Sequence, residues 1–295
     1  MNEAAETPLT AVQGRSQFDD ALARFRKNKA AVCSVVVVLS LIAASLFVPA
    51  WLPWDHEEVD FTAFRAPPSI ETRHYFGTDQ NGRDLLARTL YGTRVSLAVA
   101  ALATTVSVIV GVLFGAVAGY VGGRTDQVMM RFVDILYALP YILFVILLMV
   151  VFGRNVYLLF VAIGLLVWLT MARIVRGQTL SIRQREYIEA AHAAGLGRTA
   201  IIFRHVIPNL AGPVVIYAAL TVPQIVATES FLSFLGFGVQ EPLTSLGTLI
   251  AEGANVLEIL PWLMWFPAIA LVLLLMSLLF IGDGLRDAFD PHERT

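Results

Sequence analysis

The stretch HEEVD at 56–60 sets a histidine beside two glutamates, the opening of a zinc-hydrolase helix. That chemistry needs H-E-x-x-H, and Asp60 stands where the second imidazole ligand would be. DQNGRD at 79–84 gathers Asp79, Asn81 and Asp84 around Gly82, the raw material of an oxygen-ligand calcium loop. An EF-hand loop would close on a glutamate at its twelfth position, and Leu90 is there, so the stretch reads as a polar Asx and glycine turn. A phosphate-cradling G-x-x-x-x-G-K-[ST] loop needs a lysine, and Lys27 and Lys29 are the only lysines of the chain. No G-x-S-x-G nucleophile elbow occurs. The reading is therefore of a chain without an active site, and without a metal or cofactor, of its own.

What remains for function is positional. Of 295 residues, 57% are hydrophobic and 15% charged, which fits a polytopic membrane protein and no soluble core. A helix of about 20 apolar residues crosses roughly 30 Å of hydrocarbon. Uncharged runs of that order cover 30–50, 95–121, 135–152, 155–172, 206–228 and 259–282, which predicts an all-α protein of six transmembrane helices. A further uncharged piece, SFLSFLGFGVQ at 230–240, is too short to span and reads as interfacial or re-entrant. The first run follows a tail of about thirty residues and exceeds a signal-peptide core, so it reads as a retained anchor. Cys33, the single cysteine, lies within it and excludes an intrachain disulfide.

Charge sets the orientation. With six spans, one side holds the N-terminus, 122–134, 173–205 and the C-terminus, and this side carries fifteen of the twenty-one Lys and Arg residues. By the positive-inside rule both termini face the cytoplasm, while 51–94 and 229–258 lie on the periplasmic side. The domain reading is a cytoplasmic tail over 1–29, a first span over 30–50, the 51–94 segment, a five-helix core over 95–282, and a second tail over 283–295. In the first tail, Phe18, Leu22 and Phe25 recur at helical spacing beside basic residues, which predicts an amphipathic interfacial helix over 18–29; residues 1–15 are expected to be disordered.

One cytoplasmic loop, within 173–209, contains EYIEAAHAAGLGRTAIIFRHVIPN at 186–209. Its first part is rich in helix formers, Gly195 and Gly197 supply a stop where positive φ is expected, and RTAIIFRHVI restarts a helix before Pro208. Ile188, Ala191, Ala194, Ile201 and Ile202 give an apolar side short of a protein core. The element is thus expected to dock on something else.

EAAHAAG followed by HVIP resembles the cytoplasmic EAA loop of permease subunits of ATP-binding-cassette importers, with Glu189, Ala190, Ala191 and Gly195, then Ile207 and Pro208, at matching positions. His205 replaces the aliphatic residue of many members, and the peptide-transport branch commonly has histidine there. The resemblance extends over HYFGTDQNGRDLLARTLYGTRVSL (74–97), GYVGGRTDQVMMR (119–131), MARIVRGQTLS (171–181), SFLSFLGFGVQEPLTSLG (230–247) and FIGDGLRDAFDP (280–291), all similar to the dipeptide, oligopeptide and nickel subfamily. MARIVRGQTLS and GVQEPLTSLG are most similar to the C-type permease subunit of oligopeptide transporters. The resemblance implies a type I importer permease fold in the bacterial inner membrane. It also implies a second homologous permease, two cytoplasmic ATPase subunits that bind ATP and Mg, and an extracytoplasmic peptide-binding protein; no nucleic acid is expected as partner. On this resemblance the EAA helices dock in the ATPase, Glu189 making polar contact, Ala190 and Ala191 allowing close approach, and Gly195 setting the inter-helix angle. A dipeptide or nickel importer is the near alternative, and an ion-coupled secondary carrier the distant one.

Three patterns remain. Gly111, Gly115 and Gly119 repeat at four-residue spacing in the second span and predict a face that packs tightly, within the subunit or against the partner permease. Arg131, Asp134, Glu229 and Asp283 lie near span ends, where local pairing or snorkelling would account for them. Pro213, Pro223, Pro261 and Pro267 interrupt the last two spans and serve either as pore lining or as kinks. None of these positions identifies a substrate ligand.

Overall fold

The computed structural model describes residues 17–289, so the reading of residues 1–15 lies outside the described residues. The described chain is helical, with two isolated β-bridges, Val59 to Arg83 and Thr78 to Asp84. The helices run in order as α1 (Gln17–Lys27), α2 (Lys29–Phe47), α3 (Leu85–Val121), α4 (Gly123–Tyr137), α5 (Tyr141–Phe152), α6 (Val156–Arg183), α7 (Glu186–Ala193), α8 (Arg198–Ile201), α9 (Ile207–Asn209), α10 (Ala211–Phe234), α11 (Leu246–Ala254) and α12 (Trp262–Phe289). A 3-10 turn, Val48–Trp51, extends α2. Five helices are long and apolar enough to cross a membrane, and a sixth span results if the bent pair α4 and α5 counts as one.

That bent pair corrects the third span, expected as one run over 135–152. Residues 135–137 belong to α4, the chain breaks before Pro140, and α5 leaves at 78° to α4. Proline lacks the amide donor and drives its predecessor, Leu139, out of the helical region. The 12 residues of α5 rise only about 18 Å.

Other boundaries moved because charges near the membrane are paired rather than expelled. The second span, expected to begin at 95, begins ten residues earlier, so part of the expected 51–94 segment is helix. Asp84 caps α3, its carboxylate accepting the Ala87 amide at 2.7 Å. Arg88 is 2% exposed and donates to Asp79 at 2.6 Å and Glu252 at 2.8 Å, while an Arg94 guanidinium nitrogen donates to the Ser45 carbonyl. The fourth span likewise runs on to Arg183, with Arg173 paired to Asp134 and Arg176 to Asp126. The fifth starts later and ends later than 206–228, absorbing the start of the SFLSFLGFGVQ piece. The sixth continues to Phe289.

The helices α3 and α6 form the most extensive helix pair, and α12 packs against α2, α10 and α11. Between them lies a core that includes Val99 and Ala103 of α3, Met149 of α5, Leu159 of α6, Ile225 of α10 and Leu274 of α12. The tail helix α1 ends at Lys27, short of the expected 29, because α2 restarts after the Asn28 cap; it packs on α12, where Phe25 lies beside Gly284.

Candidate functional site

The strongest candidate is the element between α6 and α10. Helix α7 opens on Arg185 and places Glu186 and Glu189 in its first turn, where carboxylates complement the positive end of the helix. It stops at Gly195, whose φ of 80° lies in the left-handed region. The Leu196 amide reaches back to the Ala191 carbonyl at 3.1 Å and the Gly195 amide to His192 at 2.9 Å, a Schellman closure. Leu196 packs into the core beneath, and a Cβ on Gly195 would meet nothing within 4 Å. The constraint at Gly195 is therefore backbone conformation, not space.

The return limb of the element is α8, a π-turn over Ile202–Val206, and α9. Pro208 explains the wide turn. It cannot donate to the carbonyl four residues back, and its ring would crowd that carbonyl. The Ile207 amide bonds instead to Ile202, five residues back, and the Asn209 side-chain amide donates to the His205 carbonyl at 2.6 Å. His205 and Ile207 are half-buried in this stretch, and Pro208 is exposed.

The apolar side of the element does not await a partner, which corrects the expectation that it docks elsewhere. Ile188, Ala191, Ile201, Ile202, Val206 and Leu210 are buried against Val112, Ala116 and Tyr120 of α3 and Met171 and Val175 of α6. The structure thus turns Ala191 inward, away from any face a partner could approach. The outward face carries Glu186, Tyr187, Glu189, Ala190, His192, Ala193, Ala194 and Gly195. Beside it, Gln178, Ile182, Gln184, Arg185, Glu186, Tyr187 and Asn209 line an open cleft of about 790 Å³. The arrangement presents carboxylates, an imidazole, small side chains and an exposed turn on a closely packed seat.

The seat is rigid because α3 and α6 approach closely. Gly111, Gly115 and Gly119 all face α6. A Cβ at Gly111 would fall 2.6 Å from the Met171 Cβ, one at Gly115 would run into the Ala172 carbonyl, and one at Gly119 would lie 2.8 Å from the Arg176 carbonyl. The glycine face is used within the subunit. Arg176 also holds α4, both its Nε and Nη2 donating to Asp126 at 2.5 Å, and Arg173 donates to Asp134 at 2.9 Å while lying 4.1 Å over the Tyr137 ring.

At the opposite end, residues 52–84 fold over the start of α3. Asp79 is the hub of DQNGRD: its carboxylate accepts the amides of Asn81 and Arg83 and the guanidinium groups of Arg83 and Arg88. His74, fully buried and stacked on Trp54, lies 2.9 Å from Asp84 and 3.5 Å from Asp60. The Thr62 hydroxyl and amide hold the Asp60 carboxyl below its ordinary 3.8, and His74 adds to this. His56 of HEEVD stacks on Tyr91. Among the described residues no group of three or more His, Cys, Asp or Glu side chains could hold a metal ion.

Glu229 corrects another expectation, since it neither snorkels nor pairs with a cation. It is fully buried and accepts hydroxyl bonds from Ser233 at 2.7 Å and Ser96 at 2.8 Å, with Ser230 at 3.4 Å. Sequence reasoning also misses the His74 and Arg88 networks, because most partners lie on other elements; only DQNGRD, by its polarity between apolar stretches, gave a signal.

Residues 111–295 match the family model described as binding-protein-dependent transport system inner membrane component, and residues 16–68 match the N-terminal TM domain of oligopeptide transport permease C. The chain is 50% identical to the oligopeptide transport system permease protein OppC of Haemophilus influenzae, over 96% of this chain and 91% of that one, and 50% identical to OppC of Escherichia coli K12, over 96% and 94%. It is 41% identical to the dipeptide transport system permease protein DppC of Bacillus subtilis, over 95% and 87%. A solved structure, of inward-facing conformations of the MetNI methionine ABC transporter, shares the fold at a TM-score of 0.56 and 20% identity, covering 69% of this chain and 96% of that chain. With α4 to α12, the Gly111, Gly115 and Gly119 face and the loop mounted on it inside the matched region, the chain belongs to the family of binding-protein-dependent transport system inner membrane components.

Proposed function

We propose that this chain is one permease subunit of an ATP-driven oligopeptide importer, forming half of the translocation path and receiving the movement of cytoplasmic ATPase subunits through α7. The observation that carries the reading is the two-sided character of α7: Ile188 and Ala191 are seated on the chain's own spans, while Glu189 and Ala190 face outward on a fixed platform. Such an element transmits displacement, because what pushes its outer face must move α3 and α6. The partners are a second homologous permease, two ATPase subunits that hold ATP and Mg, and an extracytoplasmic peptide-binding protein. The membrane is the bacterial inner membrane, with both termini in the cytoplasm. Oligopeptide as substrate is supported by the 50% identity to relatives named for oligopeptide transport.

Chemistry stays with the partners, and this chain alternates the side to which the translocation path opens. Its residues hold helices, not substrate bonds. The test is to purify the tagged chain from its native membrane in mild detergent, as wild type and as Gly195→Val. Co-purification of a second permease and ATPase subunits, with Gly195→Val assembled but hydrolysing ATP without uptake, supports the reading. A chain recovered alone whose uptake follows a solute gradient without ATP overturns it in favour of a secondary carrier.

A further inference from the structure

We propose that Tyr120 and His192 are positioning residues that tie α7 to α3 at a fixed point and so set how much transport each ATP hydrolysed drives. This rests on the coupling role of α7 proposed above. The Tyr120 hydroxyl and His192 Nε2 lie 2.7 Å apart, and the two rings are close to parallel, 10° between planes and 6.1 Å between centroids. Tyr120 is 4% exposed on the last turn of α3, next to Gly119, whose contact with Arg176 and Thr179 locks that turn to α6. His192 lies one turn after Ile188 and is itself exposed, so the bond joins a buried hydroxyl to an imidazole on the outer side of α7.

The other contacts of α7 with the spans are apolar, through Ile188 and Ala191. Apolar surfaces are non-directional and can slide past one another with little loss. A hydrogen bond has a preferred length and angle, so it resists sliding and rotation. Among the described residues no other side-chain hydrogen bond joins α7 to a span. Without this bond, α7 can still seat and still bind its partner, but its displacement is partly lost as slip against α3.

The experiment uses the assembled transporter in liposomes with its binding protein, measuring uptake of a radiolabelled mixture of short peptides alongside phosphate release. The variants are Tyr120→Phe, His192→Ala, the double variant, His192→Gln and Gly195→Val. In each of the first two, uptake per ATP is expected to fall about two- to tenfold, with assembly and hydrolysis retained. The double variant should fall no further, since both changes remove one interaction. His192→Gln should recover the ratio, because the glutamine amide ends where Nε2 does. Wild-type ratios in the single variants, additive losses in the double, or a glutamine that behaves as alanine would overturn the proposal. If Gly195→Val uncouples while Tyr120→Phe does not, this proposal alone fails; if Gly195→Val leaves the ratio unchanged, the coupling reading fails with it.

Discussion

Asp84 does two jobs with one carboxylate, capping the start of α3 and orienting His74. Asp84→Asn keeps an oxygen for the Ala87 amide, whereas Asp84→Ala removes the cap and strands a buried imidazole. Asp84→Ala is expected to cost about 2 kcal/mol or more and Asp84→Asn clearly less, read as thermal unfolding in detergent. Asp60 sets an acid limit on the same segment. Its carboxyl is depressed in the folded chain, so its contribution is complete above the ordinary 3.8 and vanishes as pH falls through the lower folded value. Protease resistance of residues 52–84 should therefore hold from neutral pH to about pH 4 and decline below it, and Asp60→Asn should flatten that decline. Little of this was legible in sequence. DQNGRD showed a polar turn, but nothing local shows that Arg88 meets Glu252 or that Ser96 meets Glu229; a charge count along the chain sees only the cost of each group, not the partner that offsets it.

Among the elements, the close approach of α3 and α6 makes a sharp contrast between glycines. Gly115→Ala forces a methyl group against the Ala172 carbonyl and should destabilise by about 1 to 3 kcal/mol. Gly177, on α6, faces open space, so Gly177→Ala should be neutral or slightly stabilising in the same unfolding measurement. The four-residue glycine spacing announced a packing face but not which helix would fill it. Span boundaries were legible only where charge and membrane edge coincide. At Arg88, Arg94, Arg173 and Arg176 they do not, and the helices run on because each arginine has an acceptor. Pro140 stood in plain view inside an uncharged run; hydrophobicity measured the run and backbone geometry broke it. The apolar side of α7 and α8 was seen correctly as apolar and assigned to the wrong neighbour, because a helix pattern gives the face and not what covers it.

For the whole molecule, α7 and the 52–84 segment occupy opposite ends of the bundle, which makes orientation testable with two exposed positions. In a Cys33→Ser background, a membrane-impermeant thiol reagent applied from the cytoplasmic side should label Glu189→Cys and leave Phe61→Cys untouched. The reverse pattern would invert the topology read from charge. The long-range bonds have a consequence for how the protein is made. Arg88 and Glu252 are 164 residues apart, and Ser96 and Glu229 are 133 apart. When α3 first enters the bilayer during synthesis, the acceptors of Arg88 and Ser96 on the later helices have not yet been translated. One end of the bundle is thus stitched only after nearly the whole chain has been threaded. Until then a half-made permease displays an Arg88 held by Asp79 alone and an open helix face, a mark by which the cell's membrane proteases can tell an unfinished copy from a finished one.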